Sequence, residues 1–173
     1  FLADAAKLTR VPVSDADLTG LARLLVDAVE SGAAVTFLPP LSVERARDWW
    51  RGVVDGAPPG SVFLVAREGD HLLGTVHYQP ATAPNQPHRA DVSKLIVHRD
   101  ARRRGLGNQL MAALEQHARR QGLRLLTLDT KRGDPAERLY ARLGWTSAGV
   151  IPDFALNPDG TYHDTVIFYK TLA

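Results

Sequence analysis

The stretch from Val92 to Gln121 constrains the fold of this chain more than any other. It divides into VSKLIV, HRDARRR and GLGNQLMAALEQHARRQ. The first piece reads as a buried strand and the second as a basic loop. The third reads as a helix with Gly105 and Gly107 in its first turn. Leu106, Leu110, Ala113, Leu114 and Ala118 recur on one face of that helix, and Gly122 ends it. Leu123–Thr130 follows, nearly continuous in apolar character up to Asp129, as a parallel strand buried on both faces would be. Strand, helix and strand in so short a span make one right-handed βαβ crossover.

Arg102, Arg103, Arg104, Gly105, Leu106 and Gly107 sit where loop becomes helix. The first amides of a helix have no intrahelical acceptor and carry partial positive charge. Two glycines without a Cβ let an anion approach that backbone, and arginines can fork onto phosphate oxygens. The residues therefore describe a pyrophosphate seat. It is not a dinucleotide fingerprint, because Leu110 stands where the third glycine belongs and seven residues separate Val97 from Gly105. No Gly-Lys-Ser/Thr follows, so it is not a P-loop either.

Those six residues resemble the R-x-x-G-x-G signature of the GNAT N-acetyltransferases. A second signature of that family, N-x-x-A-x-x-L-Y-x-K-x-G-F, is similar to the run from Gly133 to Trp145. Ala136, Leu139, Tyr140 and Gly144 match, Arg142 and Trp145 are close replacements, and Gly133 departs from the asparagine. The phrases SKLIV, RGLG-x-QLM, LDT and NPDG…FYKTL are similar to those of the tabtoxin-resistance branch.

The resemblance implies acetyl-CoA as co-substrate. Leu95, Ile96, Val97, Arg102, Arg103, Arg104, Gly105, Leu106, Gly107, Asn108, Ala136 and Tyr140 would bind it. It also implies Tyr140 as proton donor to the departing thiolate and the backbone near Val97 as oxyanion donor. Asp129 stands at a position given a catalytic role in that branch. An alkylammonium with a pKa near ~10.4 must lose a proton before it can attack. Asp129 could take that proton, directly or through water, or could anchor the ammonium instead; as an ordinary hydrogen-bonded aspartate it would do neither. With no cysteine in the chain, direct attack by the amine is expected rather than an acetyl-cysteine intermediate.

Before the crossover, Lys7–Val13 reads as a first strand ended by a turn at Pro12 and Ser14. Ser14 caps a helix that runs to Gly32, and Ser42 caps a second that runs to about Val54. Ser61–Arg67 and His71–Gln79 form a hairpin, Pro80–Pro87 a loop, and Arg89–His98 the strand that feeds the basic loop. After it, a short helix starts near Gly133 or Asp134, with Pro135 in its first turn, and stops at Gly144. Trp145–Val150 and Tyr162–Lys170 are the last strands. The expected fold is α/β (α+β): one domain over residues 1–173, with a mixed, mostly antiparallel sheet, a βαβ acetyl-CoA-binding core and flanking helices.

Composition narrows the function further. Against 19 acidic residues, 21 basic ones leave a formal charge of +2, too little to argue for nucleic acid. No cysteine means no disulfide framework and no thiolate metal site, which suits a cytoplasmic protein. His71, His77, His88, His98, His117 and His163 lack metal-ligand spacing, so no metal is expected. No apolar run approaches the ~18 residues of a membrane span. The chain opens at Phe1 without an initiator methionine or a basic n-region, so no targeting assignment follows from its first residues. Phe37, Trp49 or Trp50, and Phe154 are candidates to line an acceptor groove. His77 and Tyr78 are weaker ones, more naturally placed in core or surface.

The expected partner is a small-molecule amine, with the chain monomeric or homodimeric and neither nucleic acid nor membrane involved. A peptide or protein acetyltransferase and a non-catalytic acyl-CoA-binding module are the alternatives.

Overall fold

The computed structural model describes residues 7–10, as backbone, and residues 13–172. In chain order the elements are β1 (Lys7–Arg10), α1 (Asp15–Glu30), α2 (Val43–Asp55), β2 (Val62–Glu68), β3 (His71–Pro80) and β4 (Arg89–Val97). A 3₁₀ turn over Arg99–Ala101 follows, then α3 (Leu106–Arg120), β5 (Leu125–Lys131), α4 (Pro135–Arg142), β6 (Thr146–Leu156) and β7 (Tyr162–Thr171). The first expected strand is thus described only over Lys7–Arg10; Val11 and Pro12 lie outside the described residues.

Among the described residues, seven strands form one sheet in the order β1-β2-β3-β4-β5-β7-β6. Every neighbouring pair is antiparallel except β4 with β5. Two apolar cores lie on its two faces. One gathers Leu21, Leu25 and Trp50 of α1 and α2 with Phe63, Val65 and Ile96. The other gathers Leu110, Met111 and Leu114 of α3 with Val76, Tyr78, Val92, Leu126 and Leu128. Strand alternation sorts side chains between these cores. None of the helices among the described residues is long and apolar enough to cross a membrane.

Local chemistry explains the helix boundaries. Ser14 and Asp17 form a capping box at α1, and Ser42 accepts from the Arg45 amide at α2. Near the end of α3, the Glu115 carboxylate is buried and holds Lys170 of β7 at 2.7 Å. The indole N–H of Trp145 donates to the same group at 3.1 Å. The tryptophan that replaces the signature phenylalanine therefore ties α3 to the start of β6.

The reading of β5 as a parallel strand buried on both faces is corrected. Its parallel ladder with β4 covers only Arg89↔Leu125, Ala90↔Leu126 and Asp91↔Thr127. With β7 it is antiparallel from Leu125 to Lys131. Leu126 and Leu128 are buried, whereas Asp129 is exposed. Beyond Asp91 the two strands part, so β5 lacks a neighbour on that edge. The other difference is β6, which continues past Val150 to Leu156. As the sheet's outer strand it absorbs Pro152 in an irregular stretch between Ile151 and Ala155, where the missing amide breaks no ladder.

Candidate active site

The site is built around the parting of β4 and β5. At the closed end, Thr127 donates its hydroxyl to the Asp91 carboxylate, and Arg89 donates to both Asp91 and Thr127. On its other side β4 pairs with β3, but the register jumps from His77↔Ser93 to Thr75↔Ile96. One residue of β3 thus faces two of β4, Lys94 and Leu95, which is a β-bulge. Lys94 adopts φ +55, a left-handed conformation uncommon for a residue with a Cβ. Such bulges bend a strand and increase its twist, which steers β4 away from β5. Gly74 makes the close packing beside the bulge possible, because a Cβ there would lie 3.0 Å from both the Ile96 carbonyl and Leu110.

Each residue named from sequence has a definite place here. Leu95 and Val97 pack against the α3-side core, and Ile96 is buried on the opposite face. The β5-facing edge of β4 beyond Asp91 carries no ladder partner, and Val97 lies on it. The Val97 carbonyl accepts from Arg102 Nε at 3.2 Å. The three arginines differ. Arg104 is paired with Glu68 at 3.1 Å, Arg102 is oriented by Val97, and Arg103 has no hydrogen-bond or ion-pair partner among the described residues. Arg99, the fourth arginine of this run, is held by Asp27 of α1.

Gly105 is the α3 N-cap, in the left-handed conformation at φ +79, and no side chain caps the helix. The first-turn amides are therefore not satisfied by the chain's own side chains. Leu106 is buried in the α3-side core, while Asn108 is exposed on the first turn. Gly107 faces α4, where a Cβ would meet Leu139 at 3.3 Å. Ala136 of α4 packs against the α3-side core.

Asp129 and Tyr140 approach the gap from opposite sides. Tyr140 is buried with its ring 5.9 Å from both Trp145 and Phe168. Its hydroxyl has no hydrogen-bond partner among the described residues. Burial pushes the phenol above its usual range, and the Asp129 charge pushes the same way. Asp129 alternates with Leu128 and so faces away from the α3-side core. It accepts a hydrogen bond from Thr165 at 3.2 Å.

A cleft of about 290 Å³ opens on the α2 side, lined by Trp49, Gly52, Val53, Gly56, His77, Gln79 and Ser93. His77 is stacked on Phe63 at 4.9 Å. Burial, helped by the charge of Lys94, pushes its pKa down to about 3, so its imidazole is neutral at physiological pH. Of the expected groove aromatics, Trp49 lines the cleft, and Phe37 meets Trp49 edge-on at 5.6 Å without lining it. Trp50 is wholly buried, and Phe154 is exposed on the outer strand β6. His77 faces the cleft, whereas Tyr78 is core and its hydroxyl meets His117 Nδ1 at 2.9 Å.

Lys94 and Thr165 are the residues that sequence reasoning missed. A lysine inside an otherwise buried strand was the available signal for the first; no spacing marks the second. Among the described residues, no group of three or more His, Asp or Glu side chains could hold a metal ion.

The forked sheet and the uncapped, arginine-flanked start of α3 are the features that the resemblance to the acetyltransferases leads one to expect. The chain belongs to the acetyltransferase (GNAT) family, whose sequence profile matches residues 26–145. It is 31% identical over 140 residues to an L-methionine sulfoximine/L-methionine sulfone acetyltransferase of Pseudomonas paraeruginosa, covering 79% of each chain. Among solved structures it is similar to a GCN5-related N-acetyltransferase of Kribbella flavida, with 26% identity, a TM-score of 0.79, and coverage of 98% of this chain and 99% of the other. A Salmonella typhimurium chain described as an acetyltransferase, solved with its cofactor acetyl-CoA, has the same fold. It aligns at 20% identity and TM-score 0.79, over 98% of this chain and 95% of the other. The protein is thus an N-acetyltransferase with a GNAT fold.

Proposed function

We propose that this chain transfers an acetyl group from acetyl-CoA to the amine of a small molecule held in the α2-side cleft. The observation that carries the acceptor assignment is the cleft itself. About 290 Å³ suits a small molecule rather than a folded protein surface. The acceptor named for the Pseudomonas relative is likewise small. The likeness of SKLIV, LDT and NPDG to the tabtoxin-resistance branch supports an antibiotic- or toxin-like amine.

The chain's residues fit acetyl-CoA. The uncapped first turn of α3, entered through Gly105 and Gly107, would take the pyrophosphate with Asn108 on the same turn. Arg103, which has no partner of its own among the described residues, and the outer nitrogens of Arg102 would add charge. Arg104 joins them only by leaving Glu68. Leu95, Ile96, Val97, Ala136 and Tyr140 would flank the acyl arm in the gap. Bound there, acetyl-CoA supplies its acetyl group as a thioester, whose C–S bond breaks as the C–N bond to the acceptor forms.

The side chains divide the remaining work. Asp129 accepts the proton the acceptor ammonium must shed, or holds that ammonium while water takes the proton. Thr165 keeps the carboxylate oriented. Unpaired backbone amide near Val97 stabilises the charge that builds on the carbonyl oxygen, an effect typically worth ~2.7–4 kcal/mol. Tyr140 gives its proton to the departing sulfur; its raised pKa keeps it protonated at working pH.

Thiol release from acetyl-CoA, measured against a panel of amino acids, antibiotic amines and peptides, tests the reading. Turnover of small amines supports it. Turnover confined to peptides, or CoA binding with no turnover at all, contradicts it.

A further inference from the structure

Lys94 is an unusual residue to find inside a strand. It occupies the β4 bulge at φ +55, and its ammonium sits 5.3 Å from the centre of the Trp49 ring. It is half-buried, yet its ammonium has no hydrogen bond and no carboxylate within ion-pair distance among the described residues. A cation withdrawn from water without a counter-ion is unfavourable, and so is a left-handed backbone at a residue with a Cβ. The backbone cost belongs to the bulge that parts β4 from β5, and the Trp49 ring offsets part of the other; what remains is an ammonium with no bonded anion, which a ligand's anionic group would supply.

The surroundings indicate the ligand. Trp49 and Ser93, its ring neighbour and its chain neighbour, both line the cleft. Burial pushes the Lys94 pKa down, and the charge of Asp129 on β5 opposes that shift. The remaining walls are neutral: Val53, Gln79 and the uncharged His77. Beside this neutral cleft stands one cation from β4, Lys94 against the Trp49 ring, and it feels the charge of Asp129 on β5. The arginines assigned to phosphate lie in the loop before α3, so Lys94 is left for a smaller anion.

We propose that Lys94 is a specificity-determining residue that binds the carboxylate of an amino-acid-type acceptor while Asp129 faces its ammonium. The assignment rests on the acetyltransferase reading of this cleft, and it narrows the acceptor from any small amine to one that carries both charges.

The test compares kcat/KM for matched acceptors, each supplied as the free amino acid and as its carboxamide, by thiol release from acetyl-CoA. The wild-type protein is expected to favour the free acids by on the order of 10- to 100-fold, the range of a charge-assisted hydrogen bond. In Lys94→Met that ratio collapses toward one through KM, and Lys94→Arg restores part of it. Equal use of acids and carboxamides by the wild-type protein overturns the proposal while leaving the acetyltransferase reading intact. An equal fall in kcat for both series in Lys94→Met, with a shifted pH profile, overturns it in favour of proton handling by Lys94. No turnover of either series by the wild-type protein counts against both the proposal and the reading beneath it. The wild-type ratio carries the test even if Lys94→Met fails to fold.

Discussion

Thr127 of β5 donates its hydroxyl to the carboxylate of Asp91 on β4, and that contact marks the last rung of the parallel ladder between the two strands. Beyond it the two strands share no backbone pairing. The pair fixes where the gap begins, and the bulge at Lys94 fixes how it widens. Thr127→Val removes the hydroxyl without changing the side chain's shape. It is expected to destabilise the fold by about 0.5–1.5 kcal/mol in urea melts and to speed amide exchange at Leu126 and Thr127. Unchanged exchange there would detach the gap from this contact.

Tyr140 offers a sharper separation of roles. Tyr140→Phe keeps the ring that packs on Trp145 and Phe168 and deletes only the hydroxyl. Acetyl-CoA affinity should remain near wild type while kcat falls ~10²–10⁴-fold, the usual effect of losing a general acid. An unchanged kcat removes the phenol from that role. In the wild-type protein the phenol is held above its ordinary range by burial and by Asp129, so no loss of activity from its ionisation is expected below pH 9.

Gly52 tests the acceptor cleft independently of the chemistry. It lies on the exposed side of α2, and a Cβ there meets nothing within 4 Å. Gly52→Leu should leave stability unchanged or raise it by up to about 1 kcal/mol, since leucine is the better helix former. Its side chain would occupy the cleft. The acceptor KM should rise at least tenfold, on the order of the cost of filling a small site, with CoA affinity unaffected. Equal acceptor kinetics would place the acceptor elsewhere.

Glu115 provides the strongest stability prediction. Its buried carboxylate is held by Lys170 at 2.7 Å and Trp145 at 3.1 Å, with Arg119 at 4.0 Å. Lys170→Met strips the main counter-charge and frees the Leu143 carbonyl, to which Lys170 also donates. Breaking such a pair costs ~3–5 kcal/mol, and Arg119 should hold the loss near the lower figure. Chemical denaturation measures it directly. A loss under about 1 kcal/mol would mean that water already reaches the carboxylate.

Much of this was legible in the sequence because the informative residues are local. The helix caps at Ser14 and Ser42, the glycine stops and the arginine-glycine corner all act within a few positions of themselves. The partly parallel character of β5 is not legible there, because an apolar run reports burial but not the direction of the neighbouring strand. Lys94 was missed for a different reason. A one-residue bulge reverses which face a side chain joins, and pairing with β3 decides it, not the local sequence. The division of labour among Arg102, Arg103 and Arg104 is also tertiary, because the partner of Arg104 sits 36 residues away at Glu68.

The proposed function depends above all on the free amides at the start of α3 receiving the diphosphate of acetyl-CoA. Isothermal titration of CoA into the wild-type protein and into Gly105→Val measures it most directly. Valine at a backbone of φ +79 is strained and puts a branched side chain at the approach, in an exposed turn where folding should survive. The account predicts saturable binding to the wild-type protein and affinity at least ~10-fold weaker in the variant, with cooperative unfolding retained. Absent binding to the wild-type protein, or equal affinity for the variant, would contradict it.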